Sequence, residues 1–270
     1  MTEPAAPRGV VVGVDGSPSS LSAVRWAAGE ARLRGLPLTI VHVADAGATD
    51  ESETVLAQAR TAGLDAGLPD VDARRRTGRA VTELVEASSG AQLMVVGSRG
   101  RTGRLAGSVG VGMLHHARCP VAIVHGDVEP RKQPGRRPVL VGIDGSKASL
   151  AAAALAFEEA ARRCVDLLAL HVSKDAGKPG PYNRHIAEIG QEAEDFLLQA
   201  LAGLTEQYPQ VVVHPLVRFE DPARQLLVQS ERSQLVVVGS HGRGAVTGTL
   251  LGSVSAAVAE GSRIPVIVAR

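Results

Sequence analysis

The stretch GSHGRGAVTGTLLGS, residues 239–253, sets five glycines between an apolar run and a helix-forming segment. Gly239 and Gly242 can turn the backbone or let a ligand approach it closely. Gly252 and Ser253 open the segment VSAAVAEG, beginning at Val254, whose first amides would be unpaired and whose dipole favours an anion. The two ends can together cradle a di- or triphosphate in backbone N–H groups, with His241 beside it and Arg243 a cation that bridges phosphate oxygens. The same glycines would serve turns and close packing equally well, with Ser253 a plain helix cap. No Gly-Lys-Ser/Thr follows, so this is not a Walker A loop, and a dinucleotide site is disfavoured because no Gly-x-Gly-x-x-Gly follows the first strand.

A second copy of the chemistry lies upstream. GSRGRTGRLAGS, residues 97–108, supplies Gly97, Gly100, Arg101, Gly107 and Ser108, followed by Val109. Six residues separate Gly100 from Gly107, against nine between Gly242 and Gly252. Two further loops end first strands with an acid: Asp15-Gly16-Ser17 and Asp144-Gly145-Ser146. A carboxylate there can accept from two sugar hydroxyls, though the same triplet also suits a turn or a helix start.

The elements that must position these loops occur twice. VVVGVDGSPSSLSAVRWAAGEA from Val10 matches VLVGIDGSKASLAAAALAFEEA from Val139. LMVVGSRGR at 93 matches LVVVGSHGR at 235, and RCPVAIV at 118 matches RIPVIVA at 263. Such repetition predicts two domains, 1–126 and 138–270, joined by a polar linker at 127–137. Apolar runs at 10–14, 38–43, 93–97 and 121–124, with a polar candidate at 72–76, predict five strands in the first half. Runs at 139–143, 166–172, 211–217, 235–239 and 266–269 predict five in the second. Helical spacing covers Ser19–Arg34, Glu51–Gly63, Arg79–Ser88, Ser149–Arg163, Ile186–Gln207 and Pro222–Glu231. Continuous apolarity means burial on both faces, as parallel strands under helices require. The predicted fold class is α/β: two tandem doubly wound, Rossmann-like domains, each a five-stranded parallel sheet of order 3-2-1-4-5 flanked by helices. In that order the first and fourth strands are neighbours at the reversal, so the acidic loop and the glycine loop converge on one crevice in each half.

Composition narrows the partners. Among 270 residues, 29 basic against 28 acidic side chains and only 2% aromatics argue against nucleic acid or an anionic membrane surface. No apolar run is long enough to span a bilayer. Two isolated cysteines, Cys119 and Cys164, and an N-terminus without a signal pattern point to the cytoplasm. His115-His116 point different ways on a helix and suit its C-terminal dipole better than a shared metal. His42 and His171, in equal places late in the second strands, read as core or cleft-edge residues. KDAGKPGPYNRH, residues 174–185, has no first-half counterpart; a surface loop is the plainer reading, a lid carrying Tyr182 the other.

Taken together, VVVGSHGR, Gly-x-x-Gly, nine residues, Gly-Ser, the opening VGIDGS and the closing IPVIV resemble the universal stress protein family, over both halves. That resemblance implies an adenine nucleotide alpha hydrolase-like variety of the fold and ATP on the glycine loop. It places Asp144 at the ribose and adenine, the Val172 backbone at the adenine edge, and Gly239, Gly242, Gly252, Ser253 and Val254 at the phosphates and ribose. Asp15 and Val43 are the first-half equivalents. Mg2+ held through phosphate by Asp15 or Asp144 is the metal expected. The implied role is a nucleotide-dependent stress-response regulator with weak or no hydrolysis. A nucleotide-free, chaperone-like interaction protein is the alternative, and the shorter first loop favours it there. An intramolecular pseudo-dimer of the two domains is expected, with homodimerisation of whole chains left open.

Overall fold

The computed structural model describes residues 9–45, 49–100, 108–126, 137–173, 186–243 and 251–270. The chain divides into two compact units, Met1–Arg131 and Lys132–Arg270. The first contains β1 (Val10–Val14), α1 (Pro18–Arg34), β2 (Leu38–Ala44), α2 (Thr49–Asp65), β3 (Asp72–Thr77), α3 (Ala80–Ser88), β4 (Leu93–Gly97), α4 (Ser108–His116) and β5 (Val121–Val124). The second contains β6 (Val139–Ile143), α5 (Lys147–Arg163), β7 (Leu167–Ser173), α6 (Ile186–Gln207), β8 (Val213–Phe219), α7 (Pro222–Ser230), β9 (Leu235–Gly239), α8 (Ser253–Gly261) and β10 (Val266–Ala269).

Strand order is β3-β2-β1-β4-β5 in the first unit and β8-β7-β6-β9-β10 in the second, every pair parallel. This is the predicted doubly wound order. The central strands carry the core: Val10, Val11, Val12, Leu93 and Val95 are fully buried, as are Val139, Leu140, Val141, Val236 and Val237. Valine-rich runs suit this place because their branched side chains pack on both faces of a pleated sheet. β3 is an edge strand and reads DARRRT; Arg74 meets Asp72 at 2.7 Å and Arg76 meets Glu83 at 3.4 Å. Charge there discourages pairing with a further strand.

Several boundaries differ from the sequence reading by one or two residues. The first helix of each unit starts earlier than Ser19 or Ser149, because Ser17 and Ser146 are the N-caps, accepting the N–H of Ser20 at 3.2 Å and of Ser149 at 3.1 Å. The strand expected at 211–217 begins at Val213, because the Val211 N–H is spent on the carbonyl of Tyr208, closing α6. Among the described residues, no helix is long and apolar enough to cross a membrane.

The helices α1 and α5 end alike in left-handed geometry, but with Gly35 (φ 63) in one and Cys164 (φ 52) in the other. A side chain in that region is strained, whereas glycine is not. Cys164→Gly relieves about 1–2 kcal/mol of left-handed strain against about 0.4–1 kcal/mol of added unfolded-chain freedom, so a higher thermal midpoint is expected. An unchanged or lower midpoint would show that Cys164 makes compensating contacts.

Candidate functional site

The site of the second unit starts from a serine. The Ser149 hydroxyl, in the first turn of α5, accepts the N–H of Asp144 at 3.3 Å and of Gly145 at 3.1 Å and donates to the Ser146 carbonyl at 3.0 Å. Gly145, at φ +80, makes the turn that this pinning requires. The Asp144 carboxylate is thereby held above the end of β6, with Oδ1 accepting the Ser146 N–H at 2.9 Å. Its Oδ2 accepts the N–H of Arg243, from the loop after β9, at 3.0 Å. A second tie runs from the Ser146 hydroxyl to the His241 carbonyl at 3.3 Å. The acidic loop and the glycine loop are therefore joined.

Two glycines make that junction possible. A Cβ on Gly239 would stand 2.6–2.9 Å from backbone atoms of Ala148 and Ser149. One on Gly242 would overlap Asp144 Oδ2. The far end of the loop returns to the same place: the Gly252 N–H donates to the Ser240 carbonyl at 2.7 Å, and the Ser255 hydroxyl to that of Gly239 at 2.5 Å. Gly252, not Ser253, is the N-cap of α8, and no side chain caps the helix. Ser253 is instead its first residue, with Val254 next, so the alternative of Ser253 as a plain cap does not hold. Asp144, Gly145, Ser146, Gly239, His241, Gly242, Arg243, Gly252, Ser253 and Val254 thus lie on loops and a helix start that meet at one end of the sheet. Residues 244–250 lie outside the described residues.

Around this junction lie Val172 and His171, both named from the sequence, and Phe196, to which no motif points. Val172 is half-buried near the end of β7. Before it, His171 donates from Nδ1 to the Ile143 carbonyl at 2.7 Å, a tie between β7 and β6. His42 makes the same tie to Val14 at 2.9 Å. The ring of Phe196, on α6, lies 5.0 Å from that of His171, and the Arg243 guanidinium lies over it at 5.0 Å. Phe196 escapes sequence reading because α6 belongs to no block shared by the halves. Ser149 could have been found as a hydroxyl retained beside Ser20 in the repeat.

Burial works against charge on Asp144, but hydrogen bonds from Ser146 (side chain and backbone), from the Arg243 backbone and from Ser149 outweigh it. The carboxyl is held below its ordinary 3.8. A folded value below the unfolded one means stability fully present above the unfolded value and lost as pH falls through the folded one. The amide resonances of Ser146 and Arg243 should accordingly titrate with a midpoint under 3.8. A midpoint at or above that value would mean that these hydrogen bonds do not hold the charge.

The first unit repeats most of this. Asp15 Oδ1 accepts the Ser17 N–H at 3.0 Å and its hydroxyl at 2.6 Å, and Gly16 turns at φ +81. A Cβ on Gly97 would meet Ser19 at 2.7–3.0 Å, and one on Gly100 would stand 3.1 Å from Asp15 Oδ2. α4 starts at Ser108 and, like α8, has nine residues, with Val109 half-buried in its first turn. Val43 is half-buried near the end of β2. Arg101, Gly107 and the side chain of Ser108 lie outside the described residues, as do most of the linker and the segment 174–185 with Tyr182. A groove of about 750 Å3 lies elsewhere in this unit, between α3 and α4, where Arg79, Val81, Val85, His116 and Arg118 line it; it shares only Val109 with the predicted residues.

Among the described residues, no cluster of three His, Cys, Asp or Glu offers a metal site. A cation at Asp144 or Asp15 would have one carboxylate and would depend on phosphate and water for its other ligands.

Known proteins resemble this chain over both units. The universal stress protein family model matches residues 7–125 and again 135–270. A universal stress protein of Mycobacterium tuberculosis is 44% identical, covering 97% of this chain and 96% of that protein. The crystal structure of a universal stress protein from Archaeoglobus fulgidus shares the fold with a TM-score of 0.73, at 22% identity over 97% of this chain and 96% of that one. A shorter universal stress protein, solved in complex with cAMP, is 30% identical over 45% of this chain and 99% of its own, with a TM-score of 0.39.

Proposed function

The chain belongs to the universal stress protein family, with two family domains in tandem, and from that premise we propose that its second unit binds ATP and acts as a nucleotide-dependent stress-response regulator in the cytoplasm. The observation that carries this reading is the Asp144–Arg243 junction, at 3.0 Å, beside the start of α8, which no side chain caps. Asp144 is already held and charged, so it can accept ribose hydroxyls without reorganising. The backbone at Gly242 and the α8 amides supply donors to phosphate, and Arg243 adds its guanidinium. Gly145 and Ser146 orient the acid, while Gly239 lets β9 pass close under α5. Mg2+, where it accompanies the nucleotide, adds charge neutralisation at the phosphates, with Asp144 its protein ligand.

Bound nucleotide favours one arrangement of the loop after β9, and through it the surface offered to a protein partner. Hydrolysis is slow in this reading, because the glycine loop carries no Gly-Lys-Ser/Thr to set a lysine on the terminal phosphates. Steady-state turnover should stay well under the ~1 per second of ordinary kinases; a rate at or above that level would overturn the regulator reading in favour of an enzyme.

The first unit keeps Asp15, Gly97 and Gly100 in matching places, and we assign it a weaker site of the same kind. Native mass spectrometry of the full chain with ATP tests both. Two nucleotides per chain support both sites; one, abolished by Asp144→Ala and kept in Asp15→Ala, restricts binding to the second unit. No uptake at millimolar ATP sinks the nucleotide reading and leaves an interaction protein on the same fold.

A further inference from the structure

Phe196 lies outside every motif that repeats between the halves, yet its ring reaches the rim of the second site. Its Cζ stands 2.7 Å from where a Cβ on Gly145 would sit, next to Asp144. The Arg243 guanidinium covers one face at 5.0 Å, and the His171 ring packs against it at 5.0 Å, tilted by 55°. Phe196 and His171 are half-buried and Arg243 is exposed, so the cluster opens to solvent on the arginine side. In the first unit the equivalent neighbour of Gly16 is Val55, with Cγ2 2.9 Å from the corresponding Cβ position. That unit has apolar contact at this place but no aromatic face.

Resting on the reading that the second unit binds nucleotide, we propose that Phe196 is its base-selecting residue: a purine stacks on the ring face that Arg243 covers in the ligand-free chain. The covalent structure of a nucleoside supplies the reach. The base is attached at C1′, one bond from the carbon bearing the 2′-hydroxyl, so a ribose held by Asp144 delivers its base beside the residue packed on Gly145. A guanidinium on an exposed aromatic face gains less than a stacked base does. The exchange is therefore favourable, and Arg243 keeps its backbone bond to Asp144 while its side chain turns to the phosphates. Purines present the larger face and are preferred over pyrimidines. His171, tied to the Ile143 carbonyl at 2.7 Å, holds its side of the platform in place before any ligand arrives.

The test is calorimetric titration of the full chain, in an Asp15→Ala background that silences the first unit, with ATP, CTP and inorganic tripolyphosphate. Phe196→Leu should lower ATP affinity about tenfold, leave tripolyphosphate unchanged and shrink the preference for ATP over CTP. Phe196→Tyr keeps the aromatic face and should restore the wild-type pattern. Undiminished ATP affinity in Phe196→Leu overturns the assignment and leaves nucleotide binding standing. Equal losses for ATP and tripolyphosphate also overturn it, since they mark a collapsed loop rather than a lost stack. If the Phe196-intact chain takes up neither ATP nor CTP, the nucleotide reading falls and the assignment with it.

Discussion

Gly239→Ala should destabilise the protein by about 1–3 kcal/mol and remove ATP binding from the second unit. The added methyl would stand 2.6 Å from the Ala148 carbonyl carbon, 2.7 Å from its oxygen and 2.9 Å from the Ser149 nitrogen. These are backbone atoms of the first turn of α5, so no rotamer change relieves the clash. Either α5 lifts off β9 or β9 leaves its register with β6, and both strands are part of the buried core. Lifting α5 moves Ser146 and Ser149, the two residues that hold Asp144. Stability and binding should therefore fall together, measured by thermal unfolding and ATP titration. Gly203→Ala, near the C-terminal end of α6, meets nothing within 4 Å and is the control. It should stabilise by up to about 1 kcal/mol through helix propensity. A Gly239→Ala protein as stable as wild type would mean that the two elements are not packed as closely as described.

Asp144→Ala should cost the second unit about 100-fold in ATP affinity, while the chain stays folded. A hydrogen bond to a charged acceptor contributes about 1.5–3 kcal/mol, and the carboxylate is proposed to receive sugar hydroxyls. It also removes the acceptor for Arg243 N–H, so the glycine loop loses its tie to the loop after β6. Asp144→Asn separates the two effects: it keeps the shape and one acceptor oxygen but not the charge, and should fall between the other two proteins. Melting temperature is the check on specificity, since the carboxylate is at the rim and only partly buried. Wild-type affinity in Asp144→Ala would remove the ribose role from this residue.

Much of the fold is legible in the sequence. Valine-rich runs at β1, β4, β6 and β9 are buried on both faces, and that is visible as uninterrupted apolarity. Edge strands were harder: β3 reads as a run of arginines because it needs one polar side, and β8 contains Pro215, which an edge strand tolerates. Helix starts were misplaced by one or two residues because capping depends on backbone angles, and neither Ser17 nor Ser146 looks apolar-periodic. The alternative of Ser253 as a plain cap fails for the same reason: the chain uses Gly252, whose N–H is drawn back to Ser240.

By itself the sequence determined that one α/β unit is written twice, that its strands are parallel, and that an acid and a glycine loop stand at strand ends in each copy. Those properties live in residue type and local spacing, so repetition and periodicity expose them. Only the tertiary structure decided that Asp144 and Arg243, 99 positions apart, share a hydrogen bond. It likewise decided that Phe196 covers Gly145 in one unit where Val55 covers Gly16 in the other. Such contacts follow from strand order and from how each helix seats on the sheet. Both are set by many distant core contacts acting together, and no short stretch of chain encodes them.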